Sequence, residues 1–157
     1  MRNIARPALA LATLTLVACE TGNVPPANPQ QVVDERVAVM KSLGAALAAT
    51  NAFVQGKGTA PAAQAKLSPA RNNALRIPQM FPRGTALGDK GVAKSRALST
   101  IFTNRSDFDN KANTLLAKLD QLESALTGNS KADTTAALTT TKAACASCHD
   151  KYRAADE

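Results

Sequence analysis

Apolar residues recur along this chain at helical spacing, and no segment alternates with period two over a useful length. From Val32 to Phe53 the positions Val33, Arg36, Val37, Met40, Gly44 and Leu47 fall at i, i+3, i+4 and i+7 intervals and mark one face of a first helix, which Gly56 and Gly58 end. A second helix is predicted between Ala60 and Met80, interrupted by Pro69 and Pro78; Pro69 suits the first turn of a helix starting after Ser68, where its missing N–H costs nothing. Pro82, Gly84, Gly88 and Gly91 mark a long connection from Phe81 to Thr103. Asn104 or Ser106 then caps a third helix that runs to Leu126 and stops at Gly128. Its stripe of Phe108, Ala112, Leu115, Leu119, Leu122 and Leu126 is the clearest periodicity in the sequence. A fourth helix extends from Ser130 to near the C-terminus. Four amphipathic helices with one long crossover predict an all-α antiparallel four-helix bundle over residues 32–157.

The N-terminus follows a different rule. Arg2 and Arg6 precede an apolar run from Ala8 to Ala18, too short to span a bilayer, so residues 1–18 read as a secretory signal peptide. The run ends Leu16-Val17-Ala18-Cys19, which resembles the lipobox of bacterial lipoproteins, where the cysteine thiol takes a diacylglyceryl group. A conventional cleavage site beside a chance cysteine is the alternative, and it puts Leu16 at a position that favours small residues. Glu20 stands where enteric lipoproteins retained in the inner membrane carry Asp. The expectation is therefore a periplasmic protein, lipid-anchored through Cys19, at the outer membrane if the cell has one. Residues 19–31, with Pro25, Pro26 and Pro29, read as an extended tether whose last twelve residues reach about 40 Å at full stretch.

Composition narrows the function. The 157 residues suffice for one domain and are short for two. Hydrophobic residues make up 45% but aromatics only 3%, the excess being alanine, so helix formers dominate. These counts exclude a multidomain enzyme, a polytopic membrane protein and a disulfide-dense scaffold. Signal cleavage removes two of nineteen basic residues, Arg2 and Arg6, and lowers the formal net charge from +7 to +5. With neither clustered cations nor interleaved aromatics, this mild charge gives no sign of nucleic-acid binding. The single histidine and the lack of a carboxylate pair leave no acid–base machinery, and no enzyme is predicted.

Cys145-Ala146-Ser147-Cys148-His149 carries the chemistry. Two thiols three residues apart, followed at once by an imidazole, are what covalent haem attachment requires: each thiol adds to one vinyl group, and the histidine reaches the iron. On a helix the three side chains share a face. Zinc would lack a fourth ligand, because no other histidine exists and Cys19 is assigned to the lipid. Thiol–disulfide exchange would place the cysteine pair near the start of a helix after a strand, not deep in a last helix. One haem c per chain is the expectation, with the macrocycle filling a core that aromatics do not.

A C-terminal C-x-x-C-H followed by Asp150-Lys151-Tyr152-Arg153 in such a bundle resembles class II cytochrome c, the cytochrome c′ family with its low-spin relatives the cytochromes c-556. Three further segments match: Arg36 to Lys41 with Gly44, Met80 to Gly84, and Ala97 to Phe102, where Phe102 replaces a usual tryptophan. The resemblance implies that His149 is the proximal ligand, that Arg36 lies near a haem propionate and that Arg153 lies near the proximal histidine. It also puts Met40 at the sixth position of iron. Read alone, Met40 is more readily ordinary core filler. With Met40 ligated, the implied function is single-electron transfer in the periplasm; the alternative is a five-coordinate high-spin haem that binds small gases such as NO or CO. Gly44 either allows close approach to the porphyrin or is simply tolerated, and Lys142 and Lys151 are either a basic rim for a redox partner or a solvated helix face. Relatives commonly pair through their first two helices, which makes a homodimer the implied assembly.

Overall fold

The computed structural model describes residues 25–155. The signal peptide and Cys19 lie outside the described residues. Helix α1 (Pro29–Val54) begins three residues before Val32 because the start is well capped: Pro29 occupies the first turn and the Asn28 side chain accepts the Gln31 N–H at 3.2 Å. The tether is correspondingly shorter than its sequence suggests. Helix α2 (Ala60–Ala74) starts at Thr59, whose hydroxyl accepts the Ala62 N–H.

Pro69 sits inside α2 and does not start a new helix. Pro69 and Ala65, the residue whose carbonyl it leaves unbonded, are both exposed, so water can take the missing donor's place. Pro78 is the effective stop. Ahead of it the ladder tightens to i→i−3 bonds, Arg76 N–H to Asn73 and Ile77 N–H to Ala74, both 3.1 Å, and a single 3₁₀ turn follows at Pro78–Met80. The second helix thus ends at Ala74 rather than at Met80. A short helix α3 (Thr100–Thr103) lies within the predicted connection. Asn104 precedes α4 (Arg105–Thr127), but its side-chain amide donates back to the Thr100 carbonyl instead of capping. Every residue of the predicted α4 stripe is buried. Ser130 caps α5 (Lys131–Tyr152) by accepting the Asp133 N–H.

The four long helices form a ring of neighbours: α1 packs on α2, α2 on α4, α4 on α5, and α5 on α1. This is the antiparallel four-helix bundle. The crossover, residues 75–104, caps the end where α1 and α4 begin and α2 and α5 finish. It is pinned there by an antiparallel bridge between Ala97 and Arg153, with Leu98 N–H on the Tyr152 carbonyl at 2.9 Å and Ala154 N–H on the Arg96 carbonyl at 2.8 Å.

Helix α1 carries two apolar stripes. Val33, Val39, Leu43, Ala46 and Phe53 are buried in the bundle core. The stripe read from the sequence, Val33, Arg36, Val37, Met40, Gly44 and Leu47, lines a cavity along its whole length, and Met40 and Leu47 also pack against the edge of the core. Being apolar on both sides, α1 is the one helix among the described residues long and apolar enough to cross a membrane, with a mean hydropathy of 1.5 over its most apolar 18 residues. Its contacts with α2 and α5 are those of a bundle helix.

Candidate haem site

The cavity lies between α1, α4, α5 and the crossover and has a volume of about 520 Å³, within the ~300–1,000 Å³ usual for cofactor sites. Helix α5 presents Cys145, Cys148 and His149 to it, α1 presents Arg36, Met40 and Gly44, and Arg153 closes it beyond the end of α5. All six predicted cofactor-site residues among the described residues therefore line one space. The two thiols are free and half-buried. Burial pushes both up from the ordinary thiol range, although Lys111 pulls Cys148 the other way. His149 is pushed down by burial and, secondarily, by the nearby positive charge of Arg153. A neutral imidazole is the form that can donate a lone pair to a metal.

Arg36 is the most informative of these residues. It is only 5% exposed, and its terminal nitrogens donate to Ser95 Oγ at 2.8 Å and to the Thr85 carbonyl at 3.0 Å, with longer bonds of 3.4 Å to Thr85 Oγ1 and the Met80 carbonyl. The guanidinium also stacks 4.3 Å above the Phe81 ring. Every one of these partners is neutral, so burial pulls the group down to about 10. Arg36 thus holds the crossover against α1 and also lines the cavity, where no anion answers it.

Further cations share the wall: Lys41, Lys94, Arg96, Lys111 and Arg153 line the cavity with Arg36. A site with an apolar interior, two thiols, one imidazole and six cations fits a flat apolar macrocycle that bears two carboxylates. The charge pattern was not legible in advance, because Lys94 and Arg96 come from the crossover and Lys111 from α4; only the fold gathers them. Lys142 and Lys151, weighed in the sequence as a rim, lie elsewhere. Lys142 is exposed, and Lys151 pairs with Asp107 at 3.0 Å.

Sequence reading also missed the ring cluster behind the site. Phe81 and Phe108 meet edge to face at 4.8 Å between centroids, Phe108 and Tyr152 at 5.4 Å, and all three line the cavity. The Tyr152 hydroxyl donates to Asp107 Oδ2 at 2.5 Å, so α4 is fastened to the end of α5 one turn beyond His149. Asp107 is held below the usual carboxylate range by this bond and by Lys151, and Tyr152 is pushed up by burial and by Asp107.

Known proteins are similar to this chain in sequence and in fold. A cytochrome c-556 of Agrobacterium tumefaciens (strain II Chrys) is 33% identical over 123 residues, covering 77% of this chain and 95% of the relative. A cytochrome c-556 of Agrobacterium fabrum (strain C58) is 32% identical over 126 residues, covering 77% and 80%. Among solved structures, cytochrome c′ from Rhodobacter spheriodes superimposes with a TM-score of 0.73 at 24% identity, over 83% of this chain and all of that one. Cytochrome c′ from Rubrivivax gelatinosus gives 0.70 at 24% identity, over 81% and 98%. The family model described as Cytochrome C' matches residues 31–153, from the first turn of α1 to the arginine that follows α5, and the chain belongs to the cytochrome c′ family of non-enzymatic haem proteins.

Proposed function

We propose that the chain is a periplasmic electron carrier holding one haem c through thioethers at Cys145 and Cys148, with His149 and Met40 as axial ligands. The observation that carries this reading is the meeting of Met40, from α1, and His149, from α5, in one cavity. Bound haem would supply a one-electron ferric–ferrous couple, and a thioether opposite imidazole raises its potential. The protein's own part is to hold both ligands on long helices, which limits rearrangement when the charge changes. Arg36 supplies a buried positive charge for a propionate, and Arg153 lowers the proton affinity of His149. The apolar wall keeps water from the couple.

A second reading rests on one observation. A cytochrome c prime from Alcaligenes xylosoxidans with the same fold (TM-score 0.71, 20% identity) is described as a nitric oxide complex of a mutant. With Met40 off the iron, the sixth position here would admit NO or CO. Absorption spectra of the oxidised and reduced holoprotein, with and without carbon monoxide, decide between them. A split low-spin reduced spectrum indifferent to the gas supports Met40 ligation and electron transfer. A broad spectrum that shifts with the gas refutes it in favour of gas binding.

Attachment to the membrane through a lipid on Cys19, after removal of residues 1–18, completes the proposal. The leader composition and the Leu16–Cys19 sequence support it. A homodimer is the proposed assembly. One cytochrome c′ of the same fold (TM-score 0.69, 24% identity) is described as having ligand-controlled dimer dissociation. Sedimentation equilibrium of the holoprotein tests the dimer.

A further inference from the structure

The residues just after the proposed anchor are docked on the crossover. Pro25 packs so closely on Gly84 (φ +82°) that its Cβ stands 2.8 Å from where a Cβ on that glycine would lie. Pro29 Cγ lies 3.2 Å from the same position on Gly91, and Gln30 Oε1 accepts the Ala93 N–H at 2.8 Å. Only five residues, Glu20 to Val24, separate Cys19 from Pro25. Fully extended, that link spans about 20 Å. A lipid on Cys19 therefore restricts which side of the domain can face the bilayer, and that side contains the crossover.

The chemistry of the crossover suits such a position. An exposed cation stands beside each contact with the N-terminal segment: Arg83 next to Gly84, Lys90 next to Gly91, and Lys94 next to Ala93. The only acid between Phe81 and Arg96 is Asp89, and its carboxylate is engaged by the Ala86 N–H at 2.7 Å. Leu87, 53% exposed, is the most exposed large apolar side chain among the described residues and stands in the same loop. Exposed cations and an exposed leucine in one loop match a surface of phosphates over hydrocarbon.

We propose that the crossover over residues 81–96 is a membrane-docking face, resting on anionic phospholipid headgroups through Arg83 and Lys90 and inserting Leu87 at the acyl boundary. The proposal builds on the reading of Cys19 as the anchor. It orients the bundle with the crossover end, where α5 and its cysteines finish, towards the lipid.

The test uses haem-loaded protein secreted from Glu20 onward behind a generic cleavable signal, which retains every described residue of the bundle and carries no lipid. It is sedimented with vesicles of phosphatidylethanolamine containing phosphatidylglycerol, or of phosphatidylcholine alone. The expected result is binding to the anionic vesicles only, abolished by high salt. The double variant Arg83→Gln/Lys90→Gln, neither position lining the cavity, should bind about 30-fold more weakly with an unchanged haem spectrum. Leu87→Ser should weaken binding while preserving its salt dependence. Equal binding to both vesicle types, or full binding by the double variant, overturns the proposal. So does a variant that binds vesicles normally but loses an acidic soluble protein, which would make the loop a protein-docking face. Palmitate labelling of the full chain against Cys19→Ser tests the anchor separately. Missing label with anionic-vesicle binding intact supports the docking face and refutes only the anchor.

Discussion

Replacing Arg36 by methionine separates its two tasks. In the haem-free chain the guanidinium is a buried cation with neutral partners. Burial lowers it from the usual guanidinium value to about 10, a penalty of about 3 kcal/mol at neutral pH. Its two shorter bonds, to Ser95 Oγ and the Thr85 carbonyl, return about 1.5 kcal/mol each. Removing the side chain leaves few orphans. The Thr85 carbonyl still accepts Ser95 Oγ–H, Thr85 Oγ1 still donates to the Pro82 carbonyl, and Ser95 Oγ still accepts the Ala97 N–H. Arg36→Met should therefore change haem-free stability by no more than about 1 kcal/mol. If Arg36 meets a propionate in the haem-loaded protein, as proposed, the penalty is relieved. The same substitution should then cost about 3 kcal/mol, or about 6–12 °C in Tm for a chain of this size. The potential should also fall, because a cation near the couple favours the reduced state. Urea titrations followed by far-ultraviolet circular dichroism, run on both forms, measure the difference. Equal losses in the two forms would refute the reasoning and make Arg36 a structural clamp alone.

Further outcomes follow from the same geometry. Met40→Ala should convert a gas-indifferent spectrum into one that shifts with carbon monoxide, measured by absorption of the reduced protein, while the folded helix content stays the same. Tyr152→Phe removes the hydrogen bond to Asp107 and should cost about 1–2 kcal/mol in a denaturant titration. That bond helps hold the Asp107 carboxyl down, so its stabilisation is present above the ordinary carboxylate range and lost as pH falls through the depressed value. The acid-unfolding midpoint of Tyr152→Phe should accordingly move to higher pH. Leu119→Ala, at a position with no exposure, should cost about 2–5 kcal/mol by thermal unfolding. Gly84→Ala places a Cβ at positive φ against Pro25 and should cost about 1–3 kcal/mol, accompanied by faster proteolysis at the N-terminal segment.

Helix number, order and crossover were legible because each long helix carries its own stripe or stop signal. Phe108 to Leu126 was readable residue by residue, since α4 packs one face against both neighbours. The end of α2 was misplaced because two prolines look alike in sequence. Pro69 is tolerated where its turn faces water, whereas Pro78 meets a chain that must bend into the crossover. The site was legible where chemistry is local, in the five residues from Cys145 to His149. Its charges were not, because Lys41, Lys94 and Lys111 come from three separate segments and become neighbours only in the folded chain.

The stripe of α1 shows why periodicity located the site without revealing it as one. A helix between two apolar surfaces needs two apolar faces, and a single-face reading will select one of them. The face chosen, Val33–Arg36–Val37–Met40–Gly44–Leu47, lines the cavity, while Val39, Ala46 and Phe53 face the bundle and Leu43 belongs to both. A soluble protein rarely leaves an apolar face open. An apolar stripe along a cavity, opposite a helix bearing two thiols and an imidazole, is therefore itself a mark of a site for a flat apolar group. The scarce aromatics agree. Of the five aromatic residues in the chain, Phe81, Phe108 and Tyr152 are spent on the cavity wall, where rigid rings hold a shape that flexible side chains would let collapse. The stability of the fold and the readiness of the site are thus coupled, so that core substitutions behind Phe108 should disturb haem geometry before they unfold the bundle.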